Sequence, residues 1–275
     1  MKTIETKSYS LGEESFIIHG HLGEESFIIL EKEFKAFSDS LEVERKIKET
    51  IDFESLLKSL HEPFRSEELI KSLAGLVFNL GDRLSEYDTL LSDDASGRLV
   101  TLLLRDVANR QRKEIKKRNI QTYFIAGGGQ INVDIRKETY RAIWDFIKSK
   151  KDMLSKTLLV MEHTYNGKGV IPLVKILESL EIDFGIATIS IENLYRGILG
   201  KIKDKDKLFY GSVGIVGLDL WGDDTYSGVR KDKKTPRAHP IKSDPSDMTP
   251  EEKLLVNQAR EDIKTLGKEL YKLIS

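Results

Sequence analysis

The chain has 275 residues, with 44 lysines and arginines against 45 aspartates and glutamates, and it contains no cysteine. This length suits one large domain or a core with a smaller lobe, and the balanced charge gives no global excess for binding nucleic acid. The lack of cysteine excludes disulfides, thiolate catalysis and cysteine-ligated metals. The segment MKTIETKSYS has no apolar signal, and no apolar run approaches the roughly 20 residues that span a bilayer, so we expect a cytoplasmic protein without membrane contact.

The octamer LGEESFII occurs twice, at residues 11–18 and 22–29. The glycines and the β-favouring S-F-I-I ends predict two short strands joined through Gly20, as a local duplication rather than a solenoid. His19 and His21 lie two residues apart, but no third ligand stands at a suitable spacing, so we favour an edge hairpin over a metal site.

Helical periodicity dominates residues 31–80. The segment RSEELIKSLAGLVFNLG predicts one helix that begins after Ser66 as its N-cap and stops at Gly81. Residues 1–83 are therefore predicted to form an N-terminal hairpin and helical lobe beside the core.

From Tyr87 onward, apolar strand-like segments alternate with amphipathic helical segments. The predicted strands are YDTLL, IQTYFIAGGG, TLLVMEH, DFGIATISIE and LFYGSVGIVG. The alternation predicts an α/β fold with a mainly parallel sheet and helices on both faces. Right-handed crossovers place the strand-to-helix loops along the edge where open α/β sheets bind ligands. We therefore expect loops 92–98, 127–130 and 162–169 to face one crevice.

Two of these loops have residues that suit anions. Ser96, Gly97 and Arg98 offer a hydroxyl, a flexible backbone and a guanidinium at a helix N-terminus, where unpaired N–H groups attract phosphate. The second loop supplies glycines and a lysine before the next helix, in the run Tyr165, Asn166, Gly167, Lys168 and Gly169. Each loop alone is explained as a simple turn, but two at corresponding places of one sheet favour a phosphorylated ligand.

The order of elements and the sequence LLVMEHTYNGKGV resemble the type I phosphoribosyltransferase fold over roughly residues 84–220. In that family an apolar strand ends in two acidic residues, and the next loop binds the 5-phosphate of phosphoribosyl pyrophosphate. The resemblance implies that Glu162 contacts the ribose hydroxyls. His163 replaces the second acid and is a candidate general acid or base, or a simple hydrogen-bonding group. It also implies that the phosphate and ribose are bound by Tyr165, Asn166, Gly167, Lys168 and Gly169.

The resemblance further implies a pyrophosphate loop after the first strand of the core. Its candidate residues are Asp93, Asp94, Ser96, Gly97 and Arg98. Mg²⁺ would be carried by the oxygens of the ligand, so no protein metal ligands are expected. The phosphate loop is one residue shorter than in the family and lacks its threonines. The segment SDDASG is itself similar to a shortened acid-acid-x-Ser-Gly motif, which leaves the reverse assignment of the two loops open.

Residues 221–275 are predicted to form a hood-like loop and a C-terminal helix. The resemblance implies that Trp221 or Tyr226 stacks on a nucleobase. The basic run 230–237 suits the phosphates of a nucleic acid or a charged surface loop.

The final helix has clear signals in MTPEEK, where Thr249 is the predicted N-cap and Glu252 completes a capping box. Its apolar face is available for docking or for a homodimer, and consists of Leu254, Leu255, Ile263, Leu266, Leu270 and Leu273.

These patterns predict a divergent phosphoribosyltransferase-like protein that binds phosphoribosyl pyrophosphate or a nucleotide and acts at the ribose anomeric carbon. The alternative is a catalytically altered nucleotide sensor or partner-binding effector, for example in a bacterial defence or toxin operon. His163, the shortened loop and the added lobe favour that alternative. A plain ATP- or NAD-binding protein ranks last, because neither G-x-x-x-x-G-K-[ST] nor G-x-G-x-x-G occurs.

Overall fold

The computed structural model describes residues 5–11, 14–20, 41–93, 97–125, 136–164, 170–191, 207–214, 224–231, 238–240 and 248–275. The chain divides into two compact units, Met1–Glu49 and Thr50–Ser275.

The first unit contains an antiparallel hairpin of β1 (Glu5–Leu11) and β2 (Glu14–Gly20), in which Leu11 pairs with Glu14. The connection of this hairpin falls at residues 12–13. Gly20 is the last residue of β2, and the second strand that the sequence predicts beyond it lies outside the described residues, so the predicted strand pair joined through Gly20 stays a prediction. The first octamer thus begins at the last residue of β1, includes the connection and forms most of β2. The second octamer lies outside the described residues. Residues 41–50 form helix α1.

The second unit alternates helices and strands in the order that the sequence predicts. Its described elements are α2 (Phe53–Ser59), α3 (Glu67–Leu80), β3 (Thr89–Asp93), α4 (Arg98–Glu114), β4 (Gln121–Ile125), α5 (Arg136–Ser149), β5 (Lys156–Thr164), α6 (Val170–Ser179), β6 (Asp183–Ile191), β7 (Leu208–Val213), β8 (Val229–Lys231), β9 (Ala238–Pro240) and α7 (Pro250–Tyr271).

Five of these strands form one sheet in the order β4-β3-β5-β6-β7, and every neighbouring pair is parallel. Counted along the chain within the sheet, this order is 2-1-3-4-5, one of the two common doubly wound arrangements. The predicted parallel α/β sheet is confirmed. Separately, β8 and β9 pair antiparallel and flank the basic segment 232–237, which lies outside the described residues.

Helices cover both faces of the sheet, as the sequence predicts. On one face α3 packs against β6 and β7, α4 packs against β3 and β5, and α7 packs on α4 and α3. On the other face α5 and α6 enclose an apolar cluster with alternate strand residues, among them Leu91, Leu159 and Ile186. Strand residues between these, such as Leu90 and Leu158, are also fully buried. Because both faces of a parallel sheet are covered, its strands are nearly continuous apolar runs.

The helix boundaries follow local chemistry. Ser66 caps α3 by accepting a hydrogen bond from the N–H of Leu69, and Gly81 follows the helix in a positive-φ conformation. Thr249 and Glu252 form the predicted capping box of α7. Most of the predicted apolar face of α7 is buried within the chain, but Leu254 is 55% exposed. Within the described ranges, no helix has the length and apolar character needed to cross a membrane.

Candidate functional site

The crevice between β3 and β5 is the topological switch point of the sheet. From β3 the chain passes through α4 to β4 on one side, and from β5 it passes through α6 to β6 on the other side. Helices α4 and α6 lie on opposite faces, so the chain segments that follow β3 and β5 diverge from neighbouring strand ends. Open α/β sheets bind their ligands in the crevice that such a divergence leaves.

The strand register defines the floor of this crevice. Ser92 pairs with Val160, so β5 continues past the end of β3 by several residues, through Glu162 and His163. His163 pairs instead with Ser190 of β6. The two predicted site residues Glu162 and His163 therefore directly precede Thr164, the last residue of β5. They lie at the carboxyl edge of the sheet, beside the switch point.

The start of α4 has the properties of an anion site. Gly97 occupies the N-cap position, no side chain among the described residues caps the helix, and the first turn contains Arg98 and no acid. The first turn is nevertheless well formed, because the backbone N–H and the hydroxyl of Thr101 both donate to the carbonyl of Gly97. In contrast, α2, α3 and α7 each have a side-chain cap and acidic residues in the first turn. A helix N-terminus with a cation and no acid in its first turn favours a bound anion.

Arg98 is held in place by an aromatic ring. Its guanidinium carbon lies 4.0 Å from the ring centroid of Phe124, near the end of β4. This cation–π contact restricts the side chain to the edge strand next to β3. Sequence reasoning identified Arg98 but not Phe124, because the strand order that brings β4 beside β3 is not apparent from local patterns.

A buried hydroxyl also lies at the carboxyl end of β3. Ser92 is fully buried, and its Oγ has no hydrogen-bond partner among the described residues. The structure extends β3 to Asp93, so Ser92 and Asp93 belong to the strand rather than to the loop in which the sequence places them. Thr188 and Ser190, also fully buried, add hydroxyls near the end of β6. Sequence reasoning missed Thr188 and Ser190 because each stands within an apolar strand pattern, and it placed Ser92 in the loop that follows β3.

The segment before β8 lies against α7. Residues Asp224–Ser227 form a short 3-10 turn that packs on α7, and Gly228 lies next to Val256. Helix α7 runs parallel to α4, because Gly267 lies beside Asp106 and Tyr271 hydrogen-bonds Glu114, further along both helices. Since the two helices run in the same direction, Val256 near the start of α7 lies at the same end of the helix layer as the start of α4. The half-buried Tyr226 belongs to this turn, and its predicted role as a base-stacking residue of the hood stays a prediction.

Several predicted site residues lie outside the described residues, and their placement stays a prediction: Asp94, Ser96, Tyr165, Asn166, Gly167, Lys168, Gly169 and Trp221. Their flanking residues are described. Residues 94–96 connect β3 to α4, and residues 165–169 connect β5 to α6, so both connections start from the carboxyl edge of adjacent strands.

The fold and the crevice define a doubly wound α/β protein with a parallel five-stranded sheet. Comparisons with protein-family models, with curated proteins and with solved structures find no significant match.

Proposed function

We propose that the chain binds a phosphorylated ligand, phosphoribosyl pyrophosphate or a nucleotide, in the crevice between β3 and β5. The observation that carries the proposal is the switch point itself: adjacent parallel strands whose following helices lie on opposite faces. The start of α4, where no described side chain caps the helix and Arg98 stands in the first turn, supports an anionic group on the β3 side. On the β5 side, Lys168 and the two glycines beside it supply a positive charge and a backbone that a phosphate can approach closely.

In this proposal the two sides of the crevice bind different parts of one ligand. Arg98 and the first N–H groups of α4 neutralise the pyrophosphate, and Lys168 binds the 5-phosphate. Glu162 accepts hydrogen bonds from the ribose hydroxyls, which explains a carboxylate beside a phosphate site. Mg²⁺, carried by the ligand, would offset the remaining charge of the pyrophosphate. Transfer or cleavage at the anomeric carbon would then depend mainly on positioning and charge neutralisation.

The proposal is tested by calorimetric titration of phosphoribosyl pyrophosphate with Mg²⁺ into the wild type and into Lys168→Ala, Glu162→Ala and Arg98→Gln. We expect micromolar binding by the wild type and at least tenfold weaker binding by each variant. The matched control is Lys175→Ala, which removes the same charge from an exposed position of α6. Loss of binding in the control as well would refute a specific site, and no heat with the wild type would refute donor binding.

Turnover is a separate question from binding. Release of pyrophosphate in the presence of a panel of nucleobases would favour an enzyme. Tight binding with no pyrophosphate release would favour the sensor or effector alternative, which the replacement of a second acid by His163 also favours.

A further inference from the structure

The C-terminal end of α4 has an unusual concentration of positive charge. Residues 105–119 contain seven arginines and lysines against two acids, whereas the whole chain has a formal net charge of -1. Because α4 starts at the carboxyl edge of the sheet and runs back along it, this end lies at the opposite, amino edge. The basic segment is therefore separate from the crevice between β3 and β5.

An open cleft of about 470 Å³ lies at this end of the helix, and we call it the basic cleft. Its cations are Arg110, Lys113, Lys116 and Lys117, and its other lining residues are Asp106, Asn109 and Asn119. The cleft thus combines four positive charges with two amide side chains and one carboxylate.

The acids close to the basic cleft are already occupied. Asp106 accepts a hydrogen bond from Arg110 at 2.7 Å. The carboxylate of Glu86 is hydrogen-bonded by Lys156, which lowers its pKa, and Lys117 contributes only a smaller attraction. Within the described part of the chain, Lys113, Lys116 and Lys117 form no ion pair. Each of these three lysines is therefore without an ion pair of its own, although Lys117 weakly attracts Glu86. Glu114, the other acid of the segment, is hydrogen-bonded by Tyr271.

The frame that carries these lysines is rigid. Arg112 is 5% exposed, and its guanidinium donates to the carbonyls of Ser85, Tyr87 and Arg118. The side chain of Asn109 accepts a hydrogen bond from the N–H of Ile120 at 2.9 Å, which fixes the end of the connection between α4 and β4. The backbone that carries the lysines is therefore already ordered before a ligand binds, which lowers the entropic cost of binding.

Lys116 occupies a backbone position where glycine is usual. The N–H of Lys116 donates to the carbonyl of Lys113, and the N–H of Lys117 donates to the carbonyl of Arg112. These two hydrogen bonds are the pattern of a Schellman motif. Lys116 has φ 54°, in the left-handed region. Helix α6 ends in the same way with Glu181 at φ 55°, so the chain itself provides a matched structural control that is acidic.

We propose that the basic cleft binds the phosphate backbone of a nucleic acid. Flexible lysines and amide groups around an open cleft suit phosphate oxygens, which position a polymer without reading its sequence. The described lining residues of the basic cleft include no aromatic side chain on which a base would stack. We therefore expect the cleft to bind nucleic acid without sequence preference. This site is distinct from the basic run 230–237, and it does not depend on the ligand proposed for the crevice.

The test is fluorescence anisotropy with a labelled 20-base-pair DNA duplex of mixed sequence, titrated with the full chain between 50 and 200 mM salt. Three phosphate contacts, one for each lysine without an ion pair, predict a slope of log K against log salt of about -2.7. We expect Lys113→Glu with Lys117→Glu to weaken binding at least tenfold. The control is Arg141→Glu with Lys175→Glu, the same charge change at exposed positions on the other face of the sheet, with an expected effect within twofold.

Two further measurements keep the result interpretable. Lys116→Gly should weaken binding severalfold while keeping the fold, and Glu181→Gly should leave it unchanged. Excess phosphoribosyl pyrophosphate should not displace the duplex. The proposal is overturned if the wild type does not bind at 50 mM salt, if both charge-reversed pairs lose binding equally, or if phosphoribosyl pyrophosphate competes with the duplex.

Discussion

The contact between α3 and β7 gives the sharpest test of the packing. A Cβ atom added at Gly211 would lie 1.7 Å from the carbonyl oxygen of Ser72 and 2.7 Å from that of Ile189, whereas ordinary contacts begin at 3.4 Å. Both obstacles are backbone atoms, so no side-chain rotation relieves them. The substitution Gly211→Ala would therefore push α3 away from the sheet by more than 1 Å.

The expected loss in the free energy of unfolding follows from the side chains that α3 buries against the sheet. Ile70, Leu73 and Val77 are each at most 1% exposed. A fully buried side chain of this kind contributes about 1.5–3 kcal/mol, and a gap of 0.5–1 Å forfeits about a quarter to a half of its contact energy. Three such side chains, together with the strain of overpacking, predict a loss of about 2–4 kcal/mol in the free energy of unfolding.

The assay is urea unfolding followed by circular dichroism, with Gly267→Ala as the matched control. A Cβ at Gly267 would lie 2.3 Å from the carboxylate oxygen and 3.1 Å from the Cβ of Asp106, so its nearest neighbours are side-chain atoms and the closest of them can rotate away. Alanine also favours the helix over glycine by about 1 kcal/mol, so we expect this variant to lie within about 1 kcal/mol of the wild type. Equal effects of the two variants, or a stable Gly211→Ala, would refute the reasoning.

Three other predictions concern pH, a helix end and a buried hydroxyl. Burial and a hydrogen bond to Glu114 raise the pKa of Tyr271 to about 12. The contribution of Tyr271 to stability is thus complete below its unfolded pKa of about 10 and is lost as the pH rises to 12. The urea midpoints of the wild type and Tyr271→Phe should therefore converge between these two pH values. A constant difference between the two midpoints across this pH range would contradict the prediction. Lys116→Gly and Glu181→Gly should each stabilise the fold by about 1 kcal/mol, measured as a higher midpoint, because each relieves a left-handed non-glycine residue. Ser92→Ala should leave the midpoint unchanged or raise it, because it removes a buried hydroxyl that has no partner among the described residues; a large loss of stability would instead indicate a partner in the segments around it.

Local chemistry was enough to predict the helix ends and the strands. Ser66 and Gly81 bound α3, and Thr249 with Glu252 starts α7, because caps depend on residues only three or four apart. The parallel sheet followed from the alternation of elements. The order 2-1-3-4-5 did not, because the pairing of parallel strands depends on contacts far apart in the chain.

The candidate site divides in the same way. Gly97 and Arg98 were identified from the composition of their loop, and they begin a helix at the expected edge. Phe124 beneath Arg98 and the buried Ser92 could not be found, since their roles depend on which strands are neighbours. The hairpin of β1 and β2 was not predicted, because the repeated octamer drew attention to residues 11–29 and most of the first strand precedes the repeat.

The length of α4 has a consequence for the two proposals together. It is one unbroken helix of 17 residues, which corresponds to about 25 Å between its ends. The crevice lies at its first turn and the basic cleft at its last turn. A small ligand and a nucleic acid would therefore be held at a fixed separation, without competing for space. If both sites are occupied, the protein acts as a spacer that keeps the sugar phosphate roughly seven base-pair steps away from the nearest bound phosphates, at 3.4 Å per step.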